Sequence, residues 1–259
     1  MDFKTVHFHE SHGIDTILLN RPDKRNAISY ELIHDLTVAL NKAASSHAPV
    51  TILTGAGSAF CAGMDLENLR QLIGRSDEEN LKDSETMAGL FRTLYDFPKP
   101  TIAAVNGAAI AGGTAIATLC DFTLAVPEAK FGYTEVRIGF VPGIVSSYLI
   151  SNVGERRARD LLLTGRLFGA EEAHRLGLVN EIVMPDRLMH RAHELARQLL
   201  ENSPASLRVT KKLLSEYTKD QFDRQVARAV QDNAAIRQTA DFKEGVSAFL
   251  EKRKPRWTR

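Results

Sequence analysis

The chain has 259 residues, with 33 lysines and arginines against 32 aspartates and glutamates, and 44% of its side chains are hydrophobic. That length suits one large α/β domain, or a domain with a smaller appendage, and needs no third. The near-zero net charge excludes an overall field that would draw the protein to nucleic acid or an anionic membrane, so any basic site must be local.

In chain order, "VHFHE" and "IDTILLN" alternate or run apolar around His12-Gly13 and predict a hairpin at the start of a sheet. "RPDKRNAIS" reads as a turn, with Ser29 placed to cap the helix "YELIHDLTVALNKAASS". "APVTILTGAG" predicts a buried strand ending in glycines, and part of the charged "RSDEENLKDSE" that follows the next turn is expected to be a mobile surface loop. "TIAAVNG", a helix after Gly113, "DFTLAV" and "GLVNEIV" continue the alternation of strand and helix, which implies a largely parallel sheet with crossover helices. From Asp186 onward the pattern is helical, with Ser203-Pro204 as a cap and first-turn pair. A soft boundary near residue 200 divides a core of residues 1–200 from a helical region of residues 201–259.

The 21 residues from Pro100 to Cys120 carry no charge, long enough to span a membrane. Glycines, an Asn-Gly pair and several Ala and Thr residues oppose that, and predict a buried strand, a glycine turn and a buried helix in succession. Cys61 and Cys120 lack zinc-site spacing, no charged-then-apolar leader opens the chain, and Asp2 and Glu10 are out of place in a transit peptide. The expectation is a reduced, cytoplasmic protein without membrane attachment. The eight histidines show no metal-ligand spacing, and His7 and His9 fall on one solvated strand face. No metal is expected.

Two glycine-bearing turns, "TGAGSAFCAGMDL" at 54–66 and "NGAAIAGGTAIA" at 106–117, each follow a buried strand and lead into a helix. Ligand sites of open α/β folds lie at such places, and the free N–H groups there suit an oxyanion. Neither turn is a phosphate loop or a complete dinucleotide fingerprint.

These turns, together with "RPDKRNAIS", "PKPTIAAVNGAAIAGG", "CDFTLA", "AKFGYTEVRIGFVPG" and "LLLTGRLFGAEEAHRLGLVNEIV" in that order, resemble the enoyl-CoA hydratase/isomerase (crotonase) family. The resemblance runs from near residue 12 to the "KRKPRW" tail. It implies a spiral of ββα repeats, and a C-terminal helical region that builds a homotrimer or a dimer of trimers. The ligand it implies is an acyl-CoA thioester, with no cofactor beyond the CoA of the substrate.

By position the resemblance puts the oxyanion hole on the N–H groups of Met64 and Gly112, and the acid-base carboxylate on Glu135. Its CoA contacts fall on Lys24, Arg25, Ala27, Ala62 and Leu66, and its acyl pocket on Leu66, Leu90, Phe91, Ala115 and Tyr133. Lys252, Arg253 and Lys254 of the tail stand where relatives reach a neighbour's ligand, with a solvated tail as the alternative. Two departures matter. Ala111 replaces the first of three glycines, and Ala115 replaces the first of the hydratases' two glutamates. One carboxylate suffices to move a double bond, whereas adding water is easiest with two. The resemblance therefore implies a Δ3,Δ2-enoyl-CoA isomerase first. A 2-enoyl-CoA hydratase, an acyl-CoA decarboxylase and a non-catalytic binding relative are the alternatives. For Asp65 a helix-start carboxylate is the simpler role.

Overall fold

The computed structural model describes residues 3–258. Strands β1 (Val6–Ser11) and β2 (Ile14–Leu19) form the expected hairpin, and Ser29 accepts the Leu32 N–H to cap helix α1 (Tyr30–Ser45). Next come β3 (Val50–Gly55), β4 (Ala59–Cys61), α2 (Leu66–Gln71) and α3 (Asp77–Tyr95). The charge-free stretch supplies β5 (Thr101–Val105), β6 (Ala108–Ile110) and α4 (Gly112–Leu119). After β7 (Phe122–Ala125) and β8 (Lys130–Gly132), a single 3-10 turn over Glu135–Ile138 precedes α5 (Gly143–Val153) and α6 (Glu155–Thr164). The short β9 (Phe168–Gly169), α7 (Ala170–Arg175) and β10 (Glu181–Ile182) lead to four helices: α8 (Leu188–Leu200), α9 (Pro204–Glu216), α10 (Lys219–Ala235) and α11 (Ala240–Leu250).

The strands sort into two sheets. The larger has the order β1-β2-β3-β5-β7-β10 and is parallel except for the hairpin; the smaller has the order β4-β6-β8-β9. Successive strands thus go alternately to the large and the small sheet, β3 then β4, β5 then β6, β7 then β8. β3 and β5 are buried at every position, as strands covered on both faces require. The segments that follow β4, β6 and β8 of the small sheet all line the site described below.

The middle of the chain departs from expectation: in "RSDEENLKDSE" the loop is confined to Arg75 and the cap Ser76, and everything from Asp77 on is helix. Ser76 accepts the Glu79 N–H while the Glu79 carboxylate accepts the Ser76 N–H, a complete capping box, and Asp77, Glu78 and Glu79 face the positive end of the helix dipole. The charges that suggested a loop are those that start the helix, and Asp83, Leu90, Phe91 and Leu94 are buried on its inner side.

The C-terminal helices differ among themselves. α10 packs between α3 and α5, and α11 covers the 135–138 turn and α2, so both close over their own chain. α9 buries no residue, and leaves Val209, Leu213, Leu214 and Tyr217 exposed. Among the described residues no helix is long and apolar enough to cross a membrane. The charge-free run is instead the strand, turn and helix its glycines predicted.

Candidate active site

The first turn is shaped by the "RPDKRN" segment. Arg25 and Asn26 both adopt positive φ, 50° and 54°, an arrangement Asn tolerates because its side chain bonds locally. Asn26 is fully buried; its Oδ1 accepts the Arg21 N–H at 2.8 Å and its Nδ2 donates to the carbonyls of Ala56 and Ala59 at 2.9 and 2.8 Å. The strand-like residues beyond it then grip the turn after β4. Ala62 N–H donates to Arg25 C=O at 3.0 Å, Ile28 N–H to Gly63 C=O at 2.7 Å, and Asp65 N–H to Ile28 C=O at 2.9 Å. In this parallel bridge between Ile28 and Met64, the bonds use the groups of Gly63 and Asp65. The N–H of Met64 is left on the other edge, and among the described residues it has no backbone acceptor outside regular elements.

The second turn follows β6. Ala111 N–H donates to Gly132 C=O at 2.7 Å, and Gly112 opens α4 with an N–H that has no preceding turn of helix to accept it. The two turns touch at Gly63. With φ of 88°, a Cβ there would lie 3.0 Å from the Ile110 carbonyl oxygen and 3.4 Å from the Ala111 Cβ. Gly113 is required by an even closer approach, since a Cβ would fall 2.1 Å from the Cys61 carbonyl oxygen at the end of β4. Ala111 itself sits at φ 50° and ψ −119°, a conformation for which a methyl-bearing residue is strained.

Met64, Gly112 and Glu135 line one cavity of about 460 Å³, with Phe91 from α3 and Phe140 and Val141 beyond the 135–138 turn among its walls. Glu135 begins that 3-10 turn and is 9% exposed. Its Oε2 is buried without a hydrogen-bond partner, and no cation contributes to its titration. Desolvation raises its pKa from 4.5 to about 7, with only its own backbone N–H pulling the other way. A carboxylate poised there can take and return a proton near neutrality, while paired backbone N–H groups and a helix N-terminus suit a developing oxyanion.

The remaining predicted positions divide. Ala62 and Phe91 line the cavity, as do Met64, Gly112 and Glu135. Leu66, 54% exposed at the start of α2, points elsewhere; Leu90, Ala115 and Tyr133 are buried in the core and do not reach the cavity. Leu90 and Phe91 are adjacent in a helix and so face different ways, and only Phe91 approaches Gly112. The Tyr133 hydroxyl lies 3.2 Å from Thr118 Oγ1 behind the site. Lys24 and Arg25 are exposed and Ala27 is buried beside the first turn; none of the three lines the cavity. Asp65 is a helix cap, accepting the Glu67 N–H and pairing with Arg21 at 2.8 Å. Cys61 and Cys120 are buried free thiols with pKa pushed up by burial to about 12.

Some residues of the cavity wall carry no mark in the sequence and come from far along the chain. Asp83, Asn233 and Arg237 line the cavity, Arg237 meeting Asp83 across 154 positions of sequence. Arg253 and Pro255 line it too, because the tail is tied back onto α11: Arg253 pairs with Glu244 at 2.6 Å, and Thr258 donates to Asp241. Lys252, Arg253 and Lys254 remain exposed, as a solvated tail would be, while Arg253 and Pro255 are held beside the cavity of their own chain. No local signal marks these contacts, which depend on how α3, α10 and α11 converge. Among the described residues no group of three or more His, Cys, Asp and Glu side chains is placed to hold a metal.

Fold and site together define an α/β protein whose two N–H-bearing turns and one unpaired carboxylate line a single cavity. The chain belongs to the enoyl-CoA hydratase/isomerase family, whose model matches residues 9–259. A Thermus thermophilus protein provisionally named an enoyl-CoA hydratase is 44% identical over 96% of this chain and 98% of its own length. The short-chain-enoyl-CoA hydratase of Clostridium acetobutylicum is 32% identical over 98% and 97%. Among solved structures, an enoyl-CoA hydratase/isomerase from Xanthobacter autotrophicus Py2 superposes with a TM-score of 0.90 at 28% identity, covering 100% of both chains. The protein is an enzyme of this family.

Proposed function

We propose that the enzyme moves a proton on an acyl-CoA thioester with one carboxylate, converting a 3-enoyl-CoA into its 2-enoyl isomer. The observation that carries this is the inventory of carboxylates on the cavity wall. Among the described lining residues these are Asp83 and Glu135, and Asp83 is held by two guanidiniums. Glu135 alone is free to exchange a proton. The thioester oxygen would accept the Met64 and Gly112 N–H groups. Glu135 takes the C2 proton, the electron pair delocalises into a dienolate held by those two donors, and the same carboxyl returns the proton at C4.

Hydration of a 2-enoyl-CoA is the second reading, favoured by the names of the Clostridium relative and of the crotonyl-CoA hydratase of Syntrophomonas wolfei, 32% identical. There Glu135 would have to orient and deprotonate water without a second carboxylate. Lys24 and Arg25, exposed beside the first turn, are the proposed partners of the CoA phosphates. A homotrimer or a dimer of trimers is proposed through α9, whose apolar side chains are uncovered in the single chain. The deciding experiment offers purified enzyme matched 3-enoyl-CoA and 2-enoyl-CoA with product identification. Formation of 2-enoyl-CoA from the first supports isomerisation, and turnover of the second alone, to a 3-hydroxyacyl product, replaces it with hydration.

A further inference from the structure

The cavity has a second polar feature that proton transfer at the thioester does not use. Asp83 sits on α3 eight residues before Phe91, the residue that approaches Gly112, so it lies about 12 Å along the helix from the thioester end. Its carboxylate accepts Arg237 Nη1 at 2.6 Å and Arg75 Nη1 at 3.2 Å. Arg237 Nη2 donates to Ser84 Oγ at 3.1 Å and to Asn233 Oδ1 at 2.9 Å, and Asn233 Nδ2 donates to Val141 C=O at 3.2 Å. The Arg237 side chain is 1% exposed and that of Asp83 4%.

Two features of this cluster point to a ligand. First, Arg237 Nε is buried with no acceptor, although both its terminal nitrogens are paired. Phe140 lies against the guanidinium, its ring centre 5.2 Å from Cζ, but a ring offers no lone pair to replace an oxygen. Second, two guanidiniums share one carboxylate, so the cluster carries a formal charge of +1 beside walls made of Met87, Phe91, Phe140, Val141 and Ile144. A plain hydrocarbon chain would gain nothing from a charged, under-paired donor at this place, and apolar side chains would hold it better.

Building on the acyl-CoA reading above, we propose that the acyl group this enzyme takes ends in an acceptor oxygen, carboxylate or keto, received by Arg237 at the α3–α10 end of the cavity. Arg237 is then a specificity residue, with Asp83, Ser84 and Asn233 holding it in position. The excess positive charge ranks a carboxylate above a ketone.

The test compares ω-carboxy, ω-oxo and plain alkyl enoyl-CoAs of matched chain length, in both double-bond positions, by kcat/KM. Calorimetric binding of the corresponding saturated acyl-CoAs runs beside it. The expected result is a preference of about ten-fold or more for the oxygen-ended chains over alkyl. In the shape-conserving double variant Asp83→Asn with Arg237→Gln that ratio falls toward one. A wild-type enzyme that binds and turns over alkyl chains as well as the oxygen-ended ones overturns the proposal while leaving the acyl-CoA reading intact, and that outcome does not depend on any variant folding. If no acyl-CoA of any kind binds, the acyl-CoA reading itself fails, and the proposal with it.

Discussion

Two carboxylates line the same cavity and are treated in opposite ways. Asp83, on α3, is held by Arg75 and Arg237 in a network that reaches Ser84 and Asn233. Glu135, across from it on the 135–138 turn, has one oxygen with no partner and a pKa lifted to about 7 by desolvation. Burial is common to both, so burial does not decide their chemistry. What decides it is whether a cation accompanies the charge into the low-dielectric interior: paired, the carboxylate becomes a fixed part of the wall, and unpaired, its pKa is lifted toward neutrality.

The largest effect should come from removing the unpaired group. Glu135→Gln keeps the shape and deletes the proton site, so turnover is expected to fall by about a thousand-fold, with binding of a saturated acyl-CoA retained. Rate and calorimetric binding measured on one preparation check this, and unchanged turnover would remove Glu135 from the mechanism. Next in size is the loss of the paired group. Asp83→Ala leaves Arg237 buried without its counter-charge and should cost about 3–5 kcal/mol of folding stability, read as a fall in denaturation midpoint. Should Asp83→Ala prove neutral, and Glu135→Ala costly, the comparison would be reversed.

A smaller effect separates the two by pH. The folded pKa of Glu135, about 7, lies above its ordinary 4.5, so the protonated form is the one folding favours. Its contribution to stability is complete below about pH 4.5 and is lost as pH rises to about 7, on the order of 3 kcal/mol. Glu135→Gln should therefore gain on the wild type over that interval. Activity runs in the opposite direction: kcat/KM should rise tenfold per pH unit below about 7 and level off above it, since the base form is required. A flat profile across roughly pH 5.5–8 would show that the deprotonated carboxylate is not needed.

How much of this was legible in the sequence depends on the range of the interaction. Local signals worked: Ser29 caps α1, His12-Gly13 turns the hairpin, and the charge-free run folds as strand, turn and helix. The family motif brought Met64, Gly112 and Glu135 to a single cavity. Side-chain direction was not legible, which is why Phe91 reaches the cavity and its neighbour Leu90 does not. Nor was the far wall, because Asp83 and Arg237 meet only through the packing of α10 on α3. The start of α3 misled for a different reason. A run of Ser, Asp and Glu suits both a solvated loop and a helix N-terminus, and the deciding residues, Ser76 and Glu79, are three apart.

The smallest expected effect concerns the turn that carries Gly112. Ala111 holds φ 50° and ψ −119° because its N–H is anchored to Gly132 C=O and Gly113 must lie against Cys61. Its methyl group strains that backbone while contributing no bond of its own. Ala111→Gly removes the strain but frees the unfolded chain, and the two partly cancel, leaving a gain of about 1 kcal/mol and a rise in Tm of about 2–4 °C. Because the anchors are backbone groups that the substitution keeps, kcat should hold. A stable variant with a lower kcat would instead mean that the strain itself aims the Gly112 N–H. The wall opposite Asp83 would then be tuned by its backbone as well as by the missing partner of Glu135.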